Sequence, residues 1–516
     1  MRRLPLFPFE ETLVASLLSL SVLSASSLSA QPSLGEAPRK AASASYREFV
    51  ELLSIPNDQA VPADIQRNAA WLEAAFKRHG FSARQLPNGE RPMVFAEWPV
   101  KKGLKTVLLY LHFDGQPVTP SEWKQESPWK PALKKRGTGG AWEEMSLDAL
   151  YGKDVDPEWR VFARSASDDK GPIVMLLAAA DALRSQSLAP AVNVKVLLDS
   201  QEEKGSPSIP RIVAANREAL AADAVVIIDG PRHESGRPTI VYGNRGLVAA
   251  TFTVYGARGE LHSGHYGNYS PNPAQRLAIL LASMKDDSGR VTIPGFYDGV
   301  VIDDAARKLL VSVPDDEPAL RKRLGIAAND KVGATYQESL QYPSLNVRGL
   351  SSADVGAKVR TVVPATATAE IDMRTVPETP PARLRDLLVK HVEAQGWHLV
   401  NGAPTDEERA KYPKLASLTF GDMDAQATAS RTDASAPVAR WLTASLTKTF
   451  GAPPVAIRIM GGTVPTRAIA DPLGMEFIGL PLVNMDNSQH SADENLRLGN
   501  YVDGVRAIAG LMREAW

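Results

Sequence analysis

The 516-residue sequence contains no cysteine. Disulfides, thiolate nucleophiles and cysteine-based zinc sites are excluded together, so any bound metal must be held by histidine and carboxylate. There is almost no excess of charge: 58 Lys and Arg oppose 59 Asp and Glu, a formal net charge of -1. That balance makes no electrostatic case for nucleic acid or for an acidic membrane surface as a partner. No apolar run reaches the roughly 20 residues that cross a bilayer, and no internal repeat or long low-complexity segment is present. What remains is 44% hydrophobic and 23% charged, over a length that suits two globular units with full cores.

The N-terminus reads as separate from the fold. Met1-Arg2-Arg3 is basic, Thr12 to Leu23 is a short apolar run, and small residues lead to Ala30 just before Gln31. This order resembles a secretory signal peptide over residues 1–30, although Glu10-Glu11 and Leu28 depart from the usual pattern. The expectation is a periplasmic or secreted protein with no membrane attachment once the segment is removed. The competing reading is a frayed cytosolic N-terminus.

Two rhythms divide the rest. From about Ser43 to Asn244, short apolar runs such as Thr106 to Leu111, Val194 to Leu198 and Ala224 to Ile228 alternate with helical patterns, including Gly171 to Leu183. Runs that mostly lack polar alternation are strands buried on both faces, which predicts a doubly wound α/β unit. From Gly246 the strands alternate as if one face were wet, at Val248 to Val254 and Thr368 to Met373, with helices at Pro273 to Met284 and Pro381 to Gln395. These predict a small α+β layer interrupted by a long irregular insertion between about Ser288 and Ser352. After about Ser430 the first rhythm returns, with a helix over Ala436 to Phe450 and a strand over Met475 to Leu480. The predicted organisation is a catalytic domain in two parts, 31–245 and 429–516, around an inserted domain, 246–428.

The buried strands run into acids or histidine. Leu111 is followed by His112-Phe113-Asp114, Leu198 by Asp199 and Glu202-Glu203, and Ile228 by Asp229. A loop after Leu480 carries Asn484, Asp486 and His490, and Asp168-Asp169 opens the helix at Gly171. Each alone is more often a turn residue, a helix cap or a solvated charge. Together they load one end of the sheet, where open α/β folds bind ligands. So many carboxylates in one crevice would raise one another's pKa unless cations balanced them, and divalent metals held by His and carboxylate would do so.

As a set, His112-Phe113-Asp114, Ser167-Asp168-Asp169-Lys170-Gly171, Glu202-Glu203, Asp229 and His490-Ser491 resemble the co-catalytic di-zinc exopeptidases of the carnosinase, carboxypeptidase G and aminoacylase type. The match runs in order along nearly all of the mature chain. It implies a doubly wound α/β catalytic domain with an inserted α+β lid that dimerises, and two Zn²⁺ per subunit, with Mn²⁺ or Co²⁺ able to replace them in vitro. Asp168 would bridge both metals. His112 and Asp229 would complete one site, and Glu203 and His490 the other. Glu202 would be the general base for a shared water, and Asp114 would orient His112. The resemblance also implies a cis peptide at Asp168–Asp169. In the lid, His262 would reach the active site of a neighbouring subunit in a homodimer and polarise the scissile carbonyl. Arg374 would grip the substrate's carboxylate, and Thr361 and Thr463 would contact the substrate. His233 and His265 are left as surface residues.

Ala163-Arg164-Ser165 departs from the Gly-Arg-Gly step usual before the bridging Asp, and residues 137–159 form a longer connector. Both bear on the substrate pocket more than on metal binding. The activity implied is hydrolysis of dipeptides or of the terminal bond of short peptides. The alternative on the same site is deacylation of N-acyl amino acids. A metal-free solute-binding protein would leave the acids at the strand ends unexplained, and a scaffold that had lost catalysis sits poorly with an intact Glu202.

Overall fold

The computed structural model describes residues 34–421 and 427–516. The segment expected to direct export, 1–30, lies outside the described residues.

An eight-stranded sheet carries the site. In spatial order its strands are Ser82–Leu86, Met93–Glu97, Asn193–Asp199, Thr106–His112, Ala224–Ile227, Glu476–Gly479, Thr239–Val241 and Val455–Ile457. The four central strands, from Asn193–Asp199 to Glu476–Gly479, are parallel. Alternation along each strand feeds two cores. Val107, Leu109 and Leu111 face one side with Val194, Val196 and Leu198, against helices Ala37–Leu53, Lys170–Ser185 and Leu498–Arg513. Leu108 and Tyr110 face the other side with Leu197 and Val225, against Ile209, Ile212 and Ile469. With both faces covered, these strands need no polar residue until they end, which is why their sequences read as continuous apolar runs.

Beyond residue 246 the pattern halves. Gly246–Tyr255 and Thr366–Thr375 are the central pair of a five-stranded sheet flanked by Ser344–Ser351, Leu415–Phe420 and His398–Leu399. One face buries Phe252, Val254, Ala369, Ile371 and Met373 under helices Pro273–Ala282 and Pro381–Ala394. Thr251, Thr253 and Glu370 lie on the other, partly exposed face.

The stretch expected to be an irregular insertion is ordered. It holds helices Asp304–Val311, Glu317–Leu324 and Tyr336–Ser339, and then the edge strand Ser344–Ser351. Asp303, Asp316 and Thr335 cap the three helices through their side chains. The helices were illegible because each is only 4–8 residues long, too short a window for apolar periodicity to stand out. The long connector at 137–159 folds as well: Ala132–Arg136 pairs with Trp142–Met145 in a four-stranded sheet with Arg160–Phe162 and Asn495–Arg497.

Candidate metal centre

Asp168 sits between two groups of ligand atoms. His112, Asp168 and Asp229 offer atoms within 4.8 Å of one another, and so do Asp168, Glu203 and His490. Each Asp168 oxygen faces one group: Oδ1 lies 2.8 Å from His112 Nε2, and Oδ2 lies 3.0 Å from His490 Nε2. His490 Nε2 is 3.3 Å from Glu203 Oε2. Asp168 does not cap its helix. The N-cap is Asp169, without a side-chain cap bond, and the Asp168–Asp169 peptide is cis.

The strand ends explain this convergence. His112 is the last residue of its strand, and Asp229 lies just past Ile227 on the neighbouring parallel strand. Glu202 and Glu203 lie in the short helical turn Glu202–Lys204 after a third strand. Asp114, fully buried, ties these elements together. Its Oδ1 lies 3.4 Å from His112 Nδ1, and its two oxygens accept the backbone N–H of Glu202 at 3.0 Å and of Glu203 at 3.2 Å. It therefore sets the turn that carries both glutamates as well as the His112 ring.

Electrostatics show what the donor set lacks. Burial, reinforced by the charge on Asp168, pushes the Glu203 carboxyl up to about 8 and that of Asp229 to about 6. Burial also raises Glu202 well above the carboxylate range, with Asp229, Glu203 and Asp168 adding to the shift. The bond to Asp168 lifts His490 to about 9. Four carboxylates facing two imidazoles form an anionic nest, and divalent cations would remove the penalty. His and carboxylate ligands in two sets sharing one short bridging acid fit a pair of such ions.

Two residues that sequence reasoning missed support the candidate ligands, Glu494 behind Asp168 and Gln116 beside Glu203. Glu494, fully buried, accepts from the backbone N–H of Ser165 at 2.9 Å, Ser167 at 2.9 Å and Asp168 at 3.0 Å, and from Arg164 Nη1 at 2.7 Å. It follows His490 by four positions, but nothing in its local pattern distinguishes it from a loop acid. Gln116 Nε2 donates to Glu203 Oε2 at 2.7 Å. The unusual Ser165 has φ 62°, a left-handed conformation that explains why glycine suits this position elsewhere. His490 itself has φ 62°. Residues held in that region cost energy and cluster at functional sites.

A cavity of about 870 Å³ opens over the centre, lined by Asp168, Glu202, Glu203, Asp229 and His490. Arg374 and Thr463 line the same cavity, and Arg374 Nη1 donates to Thr463 Oγ1 at 2.7 Å. His262 and Thr361 do not line it. They lie together on the exposed lid, where the backbone N–H of Ser263 donates to the Thr361 carbonyl at 3.0 Å and His262 sits beside His265. Three sequence expectations fail in detail. Asp199 turns away from the crevice to accept from Tyr110 Oη at 3.0 Å and Ser206 Oγ at 2.7 Å. Asp486 pairs with Arg160 at 2.8 Å. His233 is buried rather than a surface residue, 2.9 Å from Asp315 of the helical insertion.

Known proteins resemble this chain over most of its length. The Cys-Gly metallodipeptidase of Candida albicans is 25% identical over 485 residues, spanning 90% of this chain and 93% of its own. The Beta-Ala-His dipeptidase of Mus musculus is 26% identical over 471 residues, spanning 88% and 86%. Among solved structures, an M20 family metallo-carboxypeptidase from Sulfolobus solfataricus superposes with a TM-score of 0.71 at 27% identity, covering 90% of this chain and 98% of that one. Human carnosine dipeptidase 1, at 21% identity, shares the fold with a TM-score of 0.70 over 93% and 99% of the two chains. The model of peptidase family M20/M25/M40 matches residues 108–514, and this chain belongs to that family.

Proposed function

We propose that this protein is a metal-dependent dipeptidase with two Zn²⁺ held by His112, Asp168, Glu203, Asp229 and His490. The observation that carries the reading is the pair of ligand groups sharing Asp168 in one cavity with the Arg374–Thr463 pair. A hydrolytic centre and a carboxylate grip in one cavity suit a short substrate cut beside its free end. Divalent cations bound there would polarise the scissile carbonyl and bring the pKa of a water toward neutrality. Glu202, buried on the cavity wall, accepts a proton from the attacking water. As the water oxygen bonds the carbonyl carbon and the C–N bond breaks, Glu202 returns that proton to the leaving amine. Asp114 holds the His112 ring and the Glu202–Glu203 turn throughout. Arg374, braced by Thr463, presents a planar fork to the substrate carboxylate.

His262 and Thr361 lie outside the cavity of their own chain, which supports their acting on a second copy in a homodimer. The exposed Val355 and Val359, close to Thr361 in sequence, give that edge apolar surface. The residues ahead of Gln31 support export to the periplasm or beyond; mature protein whose N-terminal sequencing began at Met1 would rule this out. The activity is tested by assaying zinc-loaded protein on dipeptides against N-acetyl and N-succinyl amino acids. Dipeptide turnover is expected; cleavage of the acyl amino acids alone would make the protein a deacylase. His262→Ala should lower turnover in a dimeric preparation, and a fully active monomer would remove its role in trans.

A further inference from the structure

The cavity is far larger than a small dipeptide needs, and much of its surplus surface is apolar. At about 870 Å³ it falls in the range of sites that enclose drug-sized ligands. The apolar wall begins at the carboxylate grip. Leu247 is the cross-strand partner of Arg374, and both line the cavity. Gly461, two residues before Thr463, passes against Leu340: a Cβ built there would stand 3.6 Å from Leu340 Cδ2. Met460 and Leu320 extend the wall, and Val241 and Ile457 add to it from the edge of the main sheet.

Leu320 and Leu340 belong to the helical insertion, which is fixed over the catalytic sheet by polar contacts. His233 pairs with Asp315 at 2.9 Å, Arg323 pairs with Glu234, and Arg458 Nη1 donates to Gln341 Oε1 at 2.6 Å. Arg245 Nη2 donates to the Tyr342 carbonyl at 2.6 Å. None of these contacts involves a candidate metal ligand or Glu202. Their effect is to hold an apolar surface beside the group that receives the substrate's free carboxylate.

We infer that the enzyme selects dipeptides whose C-terminal residue carries a large apolar side chain, with Leu340, Met460 and Leu247 forming its pocket. The inference rests on the dipeptidase reading and on Arg374 as the carboxylate site. The side chain next to that carboxylate meets this wall. A glycine leaves the wall wet, and a charged side chain set against Leu340, Met460 and Leu247 loses its water there. Each buried methylene is worth roughly a fourfold preference, so a leucyl side chain partly enclosed here gains at least ~10-fold over glycine.

The test is kcat/KM of the zinc-loaded wild type for Gly-Leu, Gly-Phe, Gly-Gly and Gly-Asp. Gly-Leu and Gly-Phe should exceed Gly-Gly and Gly-Asp by ~10-fold or more. Equal or better turnover of Gly-Gly or Gly-Asp overturns the selection while leaving the dipeptidase reading intact. No turnover of any dipeptide overturns both. Leu340→Ser should cut the Gly-Leu to Gly-Gly ratio by ~5-fold, and an unchanged ratio counts against the pocket. If that variant fails to fold, Leu320→Asn, on a separate helix, makes the same test. Calorimetry on the Glu202→Gln protein separates binding from chemistry: Gly-Leu should bind ~10-fold tighter than Gly-Gly, and equal affinities would refute the pocket.

Discussion

Glu494 touches no proposed metal, yet replacing it with glutamine should disturb the centre strongly. Its Oε1 accepts the backbone N–H of Ser167 and Asp168, and its Oε2 accepts the Ser165 N–H and Arg164 Nη1. Burial pushes this carboxyl up, while the Arg164 guanidinium pulls it back toward ionisation. An amide keeps one accepting oxygen. If that oxygen stays with Ser167 and Asp168, the new NH₂ confronts two donors, and two charge-assisted bonds worth ~1.5–3 kcal/mol each are lost. Breaking a buried ion pair from one side costs about 3–5 kcal/mol by a separate route. The first route gives about 3–6 kcal/mol and the second about 3–5 kcal/mol, so Glu494→Gln should destabilise by about 3–5 kcal/mol. The Ser165 turn, held at φ 62° partly by this carboxylate, would loosen and shift Asp168. Supports behind metal ligands are typically worth ~10–100-fold in metal affinity, so a comparable weakening is expected. Urea unfolding and zinc competition against a chelator measure the two effects. A variant with wild-type stability and zinc affinity would refute Glu494 as the element that shapes the Asp168 turn.

Other substitutions probe separate parts. Glu202→Gln should lower kcat by ~10²–10⁴-fold with metal content unchanged, and retained activity would reject the base assignment. Arg374→Lys should lower kcat/KM by ~10–100-fold, because an ammonium keeps the charge but loses the two-pronged geometry; an unchanged KM would show that the carboxylate binds elsewhere. His79, away from the centre, should give a pH signature. Burial alone would lower its pKa, but Asp181 and Glu48 outweigh this and raise it to about 9 from an ordinary 6.5. A pKa raised in the folded state adds stability that is complete below about pH 6.5 and lost as pH climbs through about 9. Asp181 is 44% exposed, so the contribution is discounted to about 1–2 kcal/mol. The stability gap between wild type and His79→Gln should shrink from that value at pH 6 toward zero at pH 10, and a gap independent of pH would contradict it.

The main sheet and the gathering of candidate ligands at one end of it were legible because both follow from short-range patterns. Apolar runs such as Thr106–His112 have nowhere to place polar groups except at their ends, and the sheet gathers those ends. Which end-group turns inward was less legible. Asp199 closes its strand in register with His112, yet it serves Tyr110 and Ser206. A one-residue change in direction decides this, and composition is blind to it. Glu494 was illegible because its value lies in backbone N–H groups more than 320 positions earlier in the chain. The helices near Leu320 and Leu340 were hidden by their length, and with them the roof of the cavity. His233 looked like a surface residue because its partner, Asp315, comes from that same insertion.

Anomalous diffraction at the zinc absorption edge, on crystals of zinc-loaded protein, tests most directly whether these side chains hold a pair of ions. Two peaks are expected on either side of the Asp168 carboxylate, one within bonding distance of His112 and Asp229 and the other of Glu203 and His490. A single peak, or peaks away from Asp168, would contradict the two-metal centre.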